Sequence, residues 1–291
     1  MAFTARTDMA CELIDQKESE GIRHSEKNCG GIRVSEIEIS TPQAAQQLQK
    51  EQGTYITVNF EGAFNDPALF DEAILQIAQA VRSIADTNGK TSLIAGLGNR
   101  KLASDALGPL TTDRIIITRH LRQSAPHLFE QARLGVTAQI TPDVLGKTGI
   151  ESAEAVRSAA QIVKPDVIFI IDALAAREMR KLCACVQISN TGLRPGSGIG
   201  NHRMQLDQAT LGTPVISIGV PTVMDALTLA SDIFQQQPDE KTVSAYDKHL
   251  IVAPKDVDIL VKNCAVLVST ALNKVFHNDI SEDEIQLLTE M

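Results

Sequence analysis

The chain has no tryptophan and only two tyrosines in 291 residues, and aromatics make up 3% of the total. It therefore offers no platform of rings on which single-stranded bases could stack. It also lacks an excess of positive charge: 27 Lys and Arg against 36 Asp and Glu give a net charge of -9. Such a surface repels phosphate backbones and argues against direct nucleic-acid binding. No run approaches the roughly 18 apolar residues that a membrane span needs. The first residues, with Arg6, Asp8, Glu12 and Asp15, contain no apolar signal-peptide core. These absences predict a cytoplasmic protein with no membrane partner. Cysteine is sparse too, since Cys11, Cys29, Cys183, Cys185 and Cys264 are odd in number and scattered, unlike a secreted disulfide framework.

What is present is enough apolar residue, 43%, to bury one substantial core. We expect one domain with a helical C-terminal part from about 250 to 291. The first 35 residues are polar and broken by glycine. The alternation Ile32, Val34, Ile37, Ile39 then reads as a first strand with a break near Ser35 and Glu36. Strand-like and helix-like segments alternate from there: a strand over 54–60, a helix over 71–86, a strand over 92–98 and a helix opening near Pro109. The second half repeats the pattern with a helix ending at Lys164, the apolar strand 166–174, strands over 183–188 and 214–220, and a helix after Pro221. Cys183 and Cys185 would share one strand face. Residues 235–242 form the one plausible linker, and helical spacing returns from Val257 to Val275. This alternation predicts an α/β fold with a mainly parallel central sheet.

Two acidic residues stand where open α/β sheets place their sites, just beyond the carboxyl ends of buried strands. Asp105 lies in the loop GNRKLASDALGP and Asp172 ends the run VIFII. Taken alone, either also fits the role of a helix cap. If the two strands are adjacent, the carboxylates face one crevice, where mutual repulsion raises one pKa and leaves a proton to share. The glycine-rich segments GLGN and LRPGSGIGN complete neither a dinucleotide fingerprint, a P-loop nor a hydrolase elbow. No cysteine and histidine set completes a zinc site, so neither metal nor cofactor is expected. His120 and His202 are each either surface or core histidines, or participants in the crevice.

Eight ordered blocks give the chain a resemblance over nearly its full length to the germination protease family of spore-forming bacteria. They are RTDMACE, GIRVSEIEI, GLGNRKLASDALGP, TRHL, IDALAAR, ISNTGLRPGSGIGN, IGVPTVMDA and LIVAPKDVDILV. The resemblance implies a three-layer α/β/α fold similar to the hydrogenase maturation proteases, and an aspartic-type endopeptidase whose catalytic pair falls on Asp105 and Asp172. It implies small acid-soluble spore proteins as substrate, residence in the developing spore, and an inactive homotetrameric precursor that cuts itself near its N-terminus. The family cuts after an acid that follows Thr or Ser, before a hydrophobic residue, with a small residue and another acid beyond. Residues 7–12, Thr-Asp-Met-Ala-Cys-Glu, match that rule, placing the bond between Asp8 and Met9 and making 1–8 a propeptide and 9–291 the protease domain. Asn99, Arg177, His120, His202 and the loop 196–200 are candidates to orient substrate or stabilise an oxyanion. The chain is shorter than typical members between Gln235 and His249. Two other functions stay open: a metal-dependent processing protease of the maturation type, and a non-catalytic α/β module binding a ligand at the GLGN loop.

Overall fold

The computed structural model describes residues 6–14, 20–131, 134–196, 203–237, 239–245 and 250–277. Among these described residues nine strands join into one sheet: β1 (Ile22–Cys29), β2 (Ile32–Ile39), β3 (Gly53–Asn59), β4 (Thr91–Gly96), β5 (Val136–Ile140), β6 (Val167–Ala175), β7 (Cys185–Ser189), β8 (Val215–Asp225) and β9 (Ile251–Val252). Their order is β1-β2-β3-β7-β8-β6-β4-β5, with β9 on the far end of β8. The pairs β5–β4, β4–β6 and β6–β8 are parallel, as the strand and helix alternation predicts. From β8 outward through β7, β3, β2 and β1 every pair is antiparallel. The sheet is thus mixed, with three parallel and five antiparallel pairs, and the turn at Gly30-Gly31 closes the β1–β2 hairpin.

The outer layers are formed by α1 (Pro42–Leu48), α2 (Pro67–Ile84), α3 (Leu107–Thr112), α4 (Ser152–Val163), α5 (Ala226–Phe234) and α6 (Val257–Phe276). On one face Phe169, Ile171, Ile218 and Val186 pack with Ile77 and Val81 of α2 and with Val268 and Leu272 of α6. On the other, Leu93, Ile168 and Ile170 pack with Ala153, Val156 and Ala160 of α4. By length and composition α6 could cross a bilayer. Its residues Val261, Cys264, Val268 and Leu272 are instead fully buried in this core, which accounts for its apolar stripe.

Three expectations are corrected here. β2 has no break at Ser35: it pairs continuously with both neighbours. Ile32 and Val34 bury against α2, whereas Ile37 and Ile39 bury on the opposite face under α1, so the switch of parity reflects a sheet covered on both sides. The helix after Pro221 does not start there, because β8 runs on to Asp225, whose carboxylate caps α5 through the Leu227 and Thr228 N–H groups at 3.0 and 3.1 Å. Proline is tolerated at this point because the β6–β8 register slips beside it, and a bulge needs no ladder donor. Cys183 has a left-handed backbone (φ 53) before β7 and packs with the α2 and α6 layer, while Cys185 faces the other side, so the two thiols do not share a face.

Asn273 joins α6 to the chain leaving α3. Fully buried, its Oδ1 accepts the Ile116 N–H at 3.0 Å and its Nδ2 donates to the Arg114 carbonyl at 2.8 Å. Asn273→Ala strands both groups and should lower unfolding free energy by about 1–3 kcal/mol in a urea titration. A change below about 0.5 kcal/mol, typical of a surface site, would contradict this role.

Candidate active site

The buried run of β6 continues through Asp172, which has the same pleat parity as Ile168 and Ile170 and so points to the α4 face. Its strand neighbour β4 ends at Gly96, paired with Ile171, so the turn after β4 hangs directly beside Asp172. That turn is tight. Gly98 has φ +110, and a Cβ there would stand 2.0 Å from the Asp105 carbonyl oxygen, so only glycine lets the chain fold back to place Asp105. The Asn99 N–H then donates to Asp105 Oδ2 at 2.8 Å. The Thr222 hydroxyl, from the bulge of β8, donates to the Ser104 carbonyl at 2.6 Å and pins the same turn. Asp105 and Asp172 line one cavity of about 360 Å³ with Leu97, Gly98, Arg203 and Thr222. The adjacency that sequence left conditional is realised.

The electrostatics of the pair are unequal. Asp172 is 5% exposed and its Oδ1 accepts only its neighbour's Ala173 N–H, at 2.9 Å, among the hydrogen bonds described. Burial first, and the Asp105 charge second, push its pKa well above the ordinary 3.8. Asp105 is half-buried, and burial raises its pKa too, opposed by the Asn99 N–H and by Arg203. Both carboxyls are thus biased towards the neutral form, and the more deeply buried Asp172 the more strongly.

Asp8 lines this cavity as well, because residues 6–14 return to lie in the crevice. The Asp8 N–H donates to the Ala175 carbonyl and the Ala175 N–H donates to Asp8 Oδ2, both at 2.9 Å. β4 stops at Gly96, opposite Ile171, which leaves Ala175 on that edge of β6 to make both bonds. Met9 is fully buried with Leu174 and Cys185, and Ala10 is fully buried with Ile37, Ala44 and Tyr55. Glu12, 3% exposed, accepts the Arg177 and Glu178 N–H groups at 2.7 and 2.9 Å, bonds the Thr7 hydroxyl and lies 4.0 Å from Lys181 Nζ.

Of the secondary candidates, Asn99 reaches Asp105 through its main chain, while its side chain accepts Lys147 Nζ at 2.6 Å. Arg177 meets the N-terminal segment through its N–H, and its side chain lines a separate surface hollow with Glu178 and Asp232. His120 is exposed at the start of a short helix, Leu121–Ser124, and does not line the cavity, so it is removed from the site. His202 and residues 197–200 lie outside the described residues; Gly196 lines the cavity. Sequence reasoning missed Arg203, Lys50 and Gln187, all close to the segment or the pair. No motif marks them. Among the described residues no group of three His, Cys, Asp or Glu side chains could hold a metal.

A raised carboxyl pKa has a sign in the stability curve. Between 3.8 and its folded value Asp172 binds a proton in the native chain but not in the unfolded one, so stability falls as pH rises through that window. Asp172→Asn should therefore flatten the curve, unfolding at a higher urea midpoint than wild type near neutral pH and converging with it in strong acid. Parallel curves would mean that Asp172 ionises normally.

The sequence profile of a family described as "Germination protease" matches residues 3–237. A germination protease from Caldanaerobacter subterraneus subsp. tengcongensis is 34% identical, covering 97% of each chain. One from Clostridium tetani is 35% identical over 93% of this chain and 95% of its own, and one from Bacillus pumilus 31% identical over 98% and 96%. Among solved structures, a [NiFe] hydrogenase maturation protease from Thermococcus kodakarensis is similar at 16% identity and a TM-score of 0.34, covering 66% of this chain and 98% of its own.

Proposed function

The chain belongs to the germination protease family, and on that premise we propose that this protease of spore germination is an aspartate-dependent endopeptidase made as a self-processing precursor. Its substrates on this reading are small acid-soluble spore proteins, met in the spore compartment by a homotetramer, as the family resemblance implies. The observation that carries the proposal is the seating of residues 7–12 in the crevice beside the carboxyl pair. Each position finds the chemistry that the family's cleavage rule asks for: an acid at Asp8 on a main-chain donor, an apolar Met9 in an apolar slot, a small Ala10 where β2 and α1 close in, and an acid at Glu12 on two N–H groups. A chain lying there also excludes any other substrate. Residues 1–8 then act as a propeptide.

In the proposed reaction the ionised member of the pair, Asp105, takes a proton from water as the water oxygen bonds to the Asp8 carbonyl carbon and the carbonyl electrons move onto oxygen. When the tetrahedral intermediate collapses, the C–N bond breaks and the proton held by Asp172 goes to the Met9 nitrogen. The products are a carboxylate at Asp8 and an amino terminus at Met9. The depth of Asp172 suits the acid, and the shallower, half-buried Asp105 with Arg203 nearby suits the base.

Incubated at mildly acidic pH and read by intact mass and N-terminal sequencing, the wild type should begin at Met9. Asp105→Asn and Asp172→Asn should stay whole, with rates down by at least about 10³-fold, the scale of losing a central catalytic group. Equal cutting of all three chains, or of none, would sink the proposal.

A further inference from the structure

The carbonyl oxygen of Asp8 is held by two side chains that the carboxyl pair does not explain. Lys50 Nζ donates to it at 2.8 Å and Gln187 Nε2 at 3.1 Å. The same Gln187 amide accepts the Ala10 N–H through Oε1 at 2.6 Å, so one side chain brackets the bond between Asp8 and Met9. The register explains why it stands there. Gly219 of β8 pairs with Asp172 of β6 on one side and with Gln187 of β7 on the other, a single row across three strands. Residues paired in register share a face, and two strand steps span about 10 Å. Gly219 contributes no side chain to the middle of that row; a Cβ there would meet Leu174 at 2.4 Å. The result is a slot with a carboxyl on one wall and an amide on the other.

Lys50 approaches from the same side as Gln187. It follows Gln49, whose left-handed backbone (φ 52) ends α1, and its N–H is bonded to the Ala45 carbonyl at 3.1 Å, so its stem leaves a fixed helix end. Tyr55, whose hydroxyl donates to the Glu51 carbonyl at 2.9 Å, braces the next residue. Burial pushes the Lys50 ammonium below its ordinary pKa, and the negative charges of Asp8 and Glu12 oppose that shift and favour the cation. Asp8 and Leu174 line both the cavity of the carboxyl pair and a second, of about 210 Å³, that contains Lys50 and Gln187. The Asp8 peptide group thus divides donors on one side from carboxyls on the other.

We propose that Lys50 and Gln187 are catalytic residues that form the oxyanion site for the Asp8–Met9 cleavage. This rests on the cleavage reading above. As water adds to the carbonyl carbon, negative charge collects on the oxygen that Lys50 and Gln187 already face, and donors fixed in advance strengthen as it develops. The oxygen gives the charge back when the carbonyl re-forms and the bond to the Met9 nitrogen breaks. No additional reactant is consumed.

The test is the first-order rate of self-cleavage in wild type, Lys50→Met and Gln187→Leu, with unfolding midpoint and the rate of Met9 oxidation by peroxide measured on each chain. Met9 is fully buried while the segment is docked, so slow oxidation reports docking independently of cleavage. Each variant should cut about 10²–10³-fold more slowly, the scale of one lost oxyanion donor, while Met9 stays protected and the midpoint holds. Wild-type rates in both variants would overturn the oxyanion site and leave the proposed function standing. Lost cleavage with rapid Met9 oxidation would overturn it too, by reducing both residues to docking contacts. A wild type that never cuts at Asp8 fails the cleavage reading itself. If one variant does not fold, the other decides.

Discussion

A carboxyl group inside a largely buried strand is the constraint on which this crevice is built. Asp172 follows five apolar residues of β6 and has too few hydrogen-bond donors around it to remain an anion cheaply. Burial and the neighbouring Asp105 charge both bias it towards the neutral acid. Other features of the site follow from housing that carboxyl beside a peptide. The left-handed Gly98 brings Asp105 back, Thr222 at the β8 bulge holds the turn, and Gly219 leaves the slot open.

The antiparallel half of the sheet supplies what the parallel half cannot. Parallel strands present their carboxyl ends to the crevice and place the acids there. β7, running the other way, brings Gln187 into the same row, and the connection from β2 to β3 carries α1 and Lys50 over it. The N-terminal segment lies across both halves, bonded to Ala175 of β6 and to Gln187 of β7. The first described residues of the chain thus lie in its own groove.

Much of this was legible in the residues. β4 and β6 were plain as apolar runs, and an acid in the loop after the first and one closing the run VIFII pointed to the pair, although β6 continues past Asp172 to Ala175. The long α6 followed from its spacing. What was not legible depended on contacts distant in sequence. Lys50 and Gln187 are 137 positions apart and unremarkable locally, one in a polar helix end and one in a strand of mixed character. β1, polar and exposed along most of its length, has no buried face to create a pattern. The break expected in β2 and the helix expected at Pro221 failed for one reason: period and proline were read as local signals where packing on both faces and a bulge decided the outcome.

The most direct measurement of the central claim is amide hydrogen exchange at Asp8 and Ala10 in the uncut Asp172→Asn chain. Their N–H groups bond to Ala175 and Gln187 only while the segment lies in the crevice. The account predicts exchange at both amides much slower than in an unstructured peptide, and comparable with neighbouring strand amides. Exchange at the free-peptide rate at both positions would contradict it, because the bond between Asp8 and Met9 would then not be held before the carboxyl pair.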